Sequence, residues 1–538
     1  MPLRHLFLTA LFSLFLTGMA PAMEILKSYL PAETPAPTPA APVAQATPSP
    51  VPTTVIPEDL PLTQPPIVRV NVASQSYSFR QPWRKNSPSI RQGLGIVLMD
   101  GRILVTAELV ANHTYVELEK PETAFKATAE VEIVDYDANL ALLAAPGAEF
   151  LQSIPGARLD KTAEVGDQVE ILQLERNGTP VRTEATITTI AVGPYPVDEN
   201  AFLVFKLSLP LQSRENSFTV PVLKQGRLVG LLMRYDPRTQ TADVVPAPVI
   251  EHFLQSAGEE PYGGFPRAGL TFADTRDPQL RNYAKLPQGA GGAYLTKVLP
   301  DSPAAKAGLQ VGDVLLNLDG QAIDQDGNYE DERFGKVSLA HYVSTVLQTG
   351  QTIPLTVWRD GEEVELEATF APRDRSGMIS QPYIFDTPPK FVIVGGIIFS
   401  ELSRQFLREW GPQWPKQAPL RLVYLDRFQN ELSPDQGKIV FISGVLPGAS
   451  TVGYENLGYE VVEEVNGQPI QSLADLAAAI DHPQDAFHRI KLAEDPGMIV
   501  LDVEGSKAEE ERIQRDYRIP SLRHLDHPPS QPTNPDLP

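Results

Sequence analysis

Cysteine is absent from all 538 residues. That absence removes disulfides, thiol nucleophiles, thiolate metal sites and a cysteine-linked lipid anchor, so stability must come from packed cores. Histidine is scarce, and its 8 copies are scattered without metal-ligand spacing; no metal site and no cofactor are expected. Positive charge is also short, with 45 Lys and Arg against 67 Asp and Glu and a formal net charge of -22 spread along the chain. Nucleic acid demands clustered Lys and Arg, so it is excluded as a partner. An anionic membrane surface is disfavoured for the same reason.

Proline, by contrast, is abundant, with 52 copies. An excess of this size belongs in linkers rather than in sheets or helices. Residues 31–66 alternate Pro with Ala, Thr and Val, a composition that favours extended polyproline and cannot bury a core. Before it, Arg4 and His5 precede an apolar run from Leu6 to Met19 and then Ala20-Pro21-Ala22. A positive start, a short apolar stretch and small residues in A-x-A spacing read as a secretory signal peptide cut after Ala22. The run is short for a membrane span, so no integral segment is expected once it is removed; an uncleaved anchor is the alternative. The periplasm is the expected compartment. Pro528 to Pro538 reads as a frayed end.

From Ile67 to about Leu254 short β-type runs recur: Gly95–Leu98, Ile103–Val105, Tyr115–Leu118, Val169–Leu172, Leu203–Phe205 and Leu228–Leu232. Turn signals separate them at Asp100-Gly101, Asn177-Gly178 and Gln225-Gly226. Many short strands without long helices predict an all-β barrel or sandwich, closed by a helix over Val249–Leu254. A different module follows from Gly269. A strand (Gly292–Val298) leads to a very short helix with capping Ser302, Pro303 and a Gly308 stop. A strand and turn over Asp313–Gly320, a helix over Val337–Leu347 and a hairpin around Asp360-Gly361 complete a PDZ fold. A looser second pass has strands near Lys438–Val445 and Val461–Val465 and a helix over Ser472–Ile480, an internal repeat.

The run Val298-Leu299-Pro300-Asp301-Ser302-Pro303-Ala304-Ala305-Lys306-Ala307-Gly308-Leu309-Gln310-Val311-Gly312-Asp313 resembles the first PDZ domain of the HtrA/Deg serine proteases. Phe391–Phe399 with Glu401-Leu402-Ser403 looks like the second PDZ domain of the Deg branch. The resemblance implies a mainly β chain, a trypsin-like double β-barrel followed by two PDZ (α+β) domains. The expected division is 1–22 signal peptide, 23–66 linker, 67–256 barrel domain, 262–372 first PDZ, 385–520 second PDZ and 521–538 tail.

Proteases of this family use a Ser-His-Asp triad, whose members must hydrogen-bond in sequence. Matched slot by slot, Glu108 stands in the histidine position after Gly101-Arg102-Ile103-Leu104. Asn139 stands in the aspartate position of Asp137–Leu143, and Ser217 is the nearest match to the nucleophile. Glutamate cannot accept at one nitrogen while donating from another, and an amide cannot stabilise an imidazolium. The glycines that shape the nucleophile loop are replaced by Glu215, Phe218 and Thr219. No catalytic residue is therefore expected, loss of a whole triad costing about a millionfold in kcat by precedent. A rearranged triad drawing on His113, Asp135 or Asp137 is the alternative, making the chain a serine endopeptidase.

What stays competent is peptide capture, in which an extended segment adds to a sheet edge. Arg267-Ala268-Gly269-Leu270-Thr271-Phe272 resembles the loop and binding strand of the first groove, which places Ala268, Gly269, Leu270, Thr271 and Phe272 in it, with Leu339, Tyr342 and Val343 on the facing helix. Phe391–Phe399 is the matching loop and strand of the second module. The acidic stretch Ile323–Glu332 lacks EF-hand spacing and reads as a solvated loop. The implied role is a scaffold, chaperone or adaptor in envelope protein quality control. It would bind C-terminal or extended peptides of unfolded or envelope proteins, and trimers follow from the resemblance alone. A purely structural envelope protein tethered by its proline-rich arm is a third reading.

Overall fold

Alternating burial sets the faces of strands such as Phe487–Leu492, where buried and exposed residues alternate without a break, whereas Leu140–Leu143 and Phe391–Val394 are buried at every position. The computed structural model describes residues 65–197, 200–211, 218–432 and 437–525. The expected signal peptide, most of the linker, Ser217 and the end of the tail lie outside them.

The first barrel region is a seven-stranded antiparallel sheet in the order β5-β4-β1-β2-β3-β7-β6. Its strands are Ile67–Ser74 (β1), Ser89–Val97 (β2), Ile103–Val105 (β3), His113–Glu119 (β4), Lys126–Thr128 (β5), Val131–Asp135 (β6) and Leu140–Leu143 (β7). The second is a closed barrel in the order β10-β13-β12-β11-β8-β9. It is formed by Gln168–Leu174 (β8), Pro180–Pro194 (β9), Ala201–Ser208 (β10), Val220–Lys224 (β11), Arg227–Asp236 (β12) and Thr241–Pro246 (β13). All three predicted turns fall between paired strands, with positive φ at Gly101, Gly178, Gln225 and Gly226. The closing helix runs Ala247–Ser256 and buries Val249, Ile250 and Phe253.

The first PDZ module follows, with Leu270–Ala273 (β14), Ala293–Val298 (β15), Val314–Leu318 (β16), Gln321–Ala322 (β17), Asn328–Asp331 (β18), Gly335–Ser338 (β19), Thr352–Arg359 (β20) and Glu362–Thr369 (β21). Its main sheet runs β14-β15-β16-β20-β21. Ser302 caps the short helix Pro303–Lys306 by accepting from the Ala305 N–H. Two expectations change here. Val337 belongs to β19, and the helix starts at Leu339, becoming a π-turn over Tyr342–Val346. The acidic stretch is partly built, because β18 pairs with β19 and Asp324 accepts from the N–H groups of Asp326 and Asn328. The module shares one apolar core with the closed barrel, and Phe205 meets Phe334 edge-on with ring centroids 5.9 Å apart.

The second module has two four-stranded sheets. The first, β24-β23-β22-β29, comprises Phe391–Val394 (β22), Ile397–Glu401 (β23), Val440–Val445 (β24) and Arg523–His524 (β29). The second, β26-β25-β27-β28, comprises Val462–Val465 (β25), Gln468–Pro469 (β26), Phe487–Leu492 (β27) and Met498–Asp502 (β28). Ser472 caps the helix Leu473–Asp481 by accepting from the Asp475 N–H. The expected tail is corrected at its start: β29 pairs with β22 through Phe391↔His524 and Val392↔Arg523. Pro66, assigned to the linker, is likewise anchored, its carbonyl accepting from Val97 N–H at 2.9 Å.

Candidate functional site

Two places answer to the sequence reading. The first is the cleft where the barrels meet. Thr106 precedes the one-turn helix Ala107–Val110, which carries Glu108. The Glu108 N–H donates to Asn139 Oδ1 at 3.0 Å, and the Ala107 N–H donates to the Asn139 carbonyl at 3.2 Å. Glu108 and Asn139, the two residues matched to the histidine and aspartate positions, therefore adjoin. Asn139 is buried at φ +55°, a left-handed conformation that asparagine tolerates and aspartate shares. Burial pushes the Glu108 carboxyl above its ordinary range, against the pull of Arg91 and Arg234.

Ser217 lies outside the described residues, but the chain that follows it enters this cleft. The Phe218 carbonyl accepts from Leu94 N–H at 3.2 Å. A Cβ on Gly93 would stand 2.9 Å from Leu109 Cδ2 and 3.0 Å from Phe218 Cβ, so a side chain there would make these neighbours shift. The buried Thr219 hydroxyl receives the Thr106 N–H at 2.8 Å and lies 2.9 Å from the Thr106 hydroxyl. His113 sits at the start of β4, its Nδ1 3.0 Å from the Val110 carbonyl. Asp135 and Asp137 are engaged at the seam between domains. Asp135 accepts from Tyr262 OH at 2.8 Å, and Asp137 accepts from Asn200 Nδ2 at 2.8 Å and Arg375 Nη2 at 2.6 Å.

The second place is the groove of the first PDZ module. β14 pairs only with β15 and is the edge strand of its sheet. A cavity of about 420 Å³ lies against it. Ala268, Gly269, Leu270, Thr271 and Phe272 line one wall, and Leu339 and Val343 line the other. Gly269 holds φ +72°, and a Cβ there would stand 2.3 Å from Ser302 Cβ. The loop is thus pinned to the capped helix.

Tyr342 is a correction, because it does not line the cavity. A half-buried phenol takes a partner, and its hydroxyl donates to Asp319 Oδ2 at 2.7 Å while its ring meets Tyr329 edge-on. Burial and that carboxylate push the phenol up to about 12. Sequence reasoning placed Arg267 at the start of the loop but missed the rest of the polar end of the same cavity, where Asp137, Asn200, Arg373 and Arg375 line it. Arg375 and Asp137 carry no local signal, because they meet only through the fold.

The second module offers no matching edge. Phe391–Phe399 forms a complete hairpin, β22–β23, turning at Gly395-Gly396. β23 therefore has a neighbour on each side, and β29 covers β22. Val392 and Val394 pack in one core with Leu473, Leu476, Ala477 and Ile480 of the helix Leu473–Asp481. Among the described residues, no group of three His, Asp or Glu side chains is placed to hold a metal, and no helix is long and apolar enough to cross a membrane.

These features define a class: trypsin-like barrels followed by two PDZ domains, with a peptide-sized groove in the first. Family models described as PDZ domain match residues 266–369 and 381–526. The chain is 25% identical over 467 residues to Protease Do-like 2, chloroplastic, of Arabidopsis thaliana, covering 86% of this chain and 75% of that one. It is 23% identical over 464 residues to Protease Do-like 4, mitochondrial, of the same plant, covering 86% and 85%. The solved structure of HtrA-type protease AlgW with decapeptide matches 58% of this chain and 96% of that one, at 18% identity and a TM-score of 0.43. The chain is HtrA/Deg-like, with a trypsin-like body and two PDZ domains.

Proposed function

We propose that this chain is an exported peptide-binding scaffold, chaperone or adaptor whose barrel cleft no longer hydrolyses peptides. The first PDZ groove is its working site. The observation that carries this reading is the open edge of β14 facing Leu339 and Val343 across a cavity of about 420 Å³. Main-chain pairing along β14 supplies affinity, and the apolar wall receives the last side chain of the ligand. Loss of hydrolysis is supported by Glu108 and Asn139 in the base and acid slots: neither bears an imidazole, and the Asn139 oxygen is spent on a main-chain N–H. Export rests on residues 1–22, and a homotrimer rests on the resemblance alone.

The test has two arms. Casein degradation by wild type and Ser217→Ala should be equally absent; turnover abolished by Ser217→Ala sinks the proposal in favour of a serine endopeptidase with a rearranged triad. Fluorescence anisotropy with peptides ending in an apolar residue should give saturable binding that Gly269→Ala removes.

A further inference from the structure

Residues 526–538 hold five prolines and neither Lys nor Arg. Four of the prolines, Pro529, Pro532, Pro535 and Pro538, recur at every third position. A polyproline II helix has about three residues per turn, so this spacing aligns the four rings along one face. Asp526 and Asp536 make the same stretch acidic. The described chain leads into it through His524 and Leu525, and both line a cavity of about 880 Å³. The first barrel region, the segment joining the PDZ modules and the second PDZ module all contribute walls to that cavity.

These walls suit a proline-lined face. Tyr136, Tyr383 and Phe385 form one ring cluster, with centroids 4.4 Å apart for Tyr136 and Phe385 and 5.2 Å for Tyr383 and Phe385. Asp386 fixes the cluster in advance. It accepts from the Tyr136 hydroxyl and from the Asn112 N–H, while its own N–H donates to Asn112 Oδ1 at 3.0 Å. The charge also matches. Arg375, Lys390 and Lys438 line the cavity against one carboxylate, Glu401, among the described residues. Arg375 is matched by Asp137 and Lys390 stands 3.5 Å from Glu401, while the Lys438 ammonium donates to the Ser376 carbonyl at 2.5 Å.

We propose that residues 526–538 dock in this cavity as a polyproline II helix, so that the chain carries its own ligand for the seam between the barrel region and the second PDZ module. Aromatic-lined grooves take proline-rich segments because proline presets the bound conformation and little ordering entropy is lost. A tether that begins at Leu525, inside the lining, raises the effective concentration of the segment to the millimolar range. The docked segment thereby closes the cavity to proline-rich stretches of other proteins.

The experiment uses the full chain, as wild type and with Pro529, Pro532, Pro535 and Pro538 all replaced by alanine. These changes leave the sequence up to Leu525 untouched. Anisotropy of a labelled peptide of residues 526–538 should show binding about 10-fold tighter to the four-alanine chain, whose cavity has lost its tethered competitor. A peptide carrying the same four alanines should bind neither chain. Equal affinity for the two chains, equal binding of the two peptides, or binding to neither chain overturns the proposal. So does tighter binding of a peptide of residues 31–64 to the four-alanine chain, because the proline-rich arm is then the occupant. Hydrogen exchange reads the cavity without a peptide. Residues 383–387 and 400–406 should exchange about 5-fold faster in the four-alanine chain, with Phe487–Leu492 unchanged. Unchanged exchange at the cavity, or an equal rise in both places, overturns docking. Protection that grows with protein concentration assigns the segment to a second copy and overturns docking within one chain.

Discussion

The main-chain N–H of Glu108 rests on the side-chain oxygen of Asn139 at 3.0 Å. Asn139 thereby serves the backbone of the adjacent slot while adopting φ +55° itself. Replacing it with alanine leaves a buried donor unpaired and forces a Cβ-bearing residue lacking a compensating side chain into left-handed geometry. Asn139→Ala should cost about 2–4 kcal/mol by urea denaturation. Asn139→Gly, which loses only the hydrogen bond, should cost less. Equal losses would show that the left-handed backbone contributes nothing.

Gly269 is the second backbone constraint. Its φ is +72°, and a methyl group on its Cα would approach Ser302 Cβ to 2.3 Å, which leaves no room for a side chain. Gly269→Ala should therefore abolish groove binding while casein turnover stays at background. Retained peptide affinity would remove the loop from the binding site.

Arg404 and Asp426 form an ion pair at 3.0 Å, 3% and 0% exposed, with Ser380 donating to Asp426 at 2.7 Å. Removing one partner leaves a buried charge. Arg404→Met alone should destabilise by about 3–5 kcal/mol, and Arg404→Met with Asp426→Leu should cost less than that single change. A double-mutant cycle in urea measures the coupling.

His341 is 2% exposed and its Nδ1 has no hydrogen-bond partner. Burial lowers its pKa to about 4; Asp331 opposes that shift and the Arg333 charge adds to it. The unfolded chain therefore binds a proton near 6.5 that the folded chain refuses until about 4. This stability contribution is whole above pH 6.5 and falls as pH drops towards 4, by at most about 3 kcal/mol. Burial lowers the His252 pKa as well, adding to the slope in the same direction. Thermal melts between pH 4 and 7 should show a shallower decline for His341→Leu than for wild type.

Much of the fold was readable because its signals are local. The turns at Gly101, Gly178 and Gly226 and the cap at Ser302 each depend on a few adjacent residues. The PDZ match rests on an uninterrupted run from Val298 to Asp313. The groove wall was readable for the same reason through Ala268 to Phe272, and through Leu339 and Val343. Tyr342 was misplaced because helical spacing does not reveal that Asp319, on a distant turn, claims its hydroxyl. The second groove was misplaced because strand pattern does not say which edge a neighbour takes, and β22 had already taken it.

Composition and motif alone determined that this protein has no thiol chemistry and that its body is mainly β and followed by two PDZ modules. Only the tertiary structure decided which PDZ edge is open and that Asp137 and Arg375 meet at its end. The reason is physical. Strand periodicity and turn geometry are set over a few residues, whereas an open edge and a charge pair depend on which distant segments pack together.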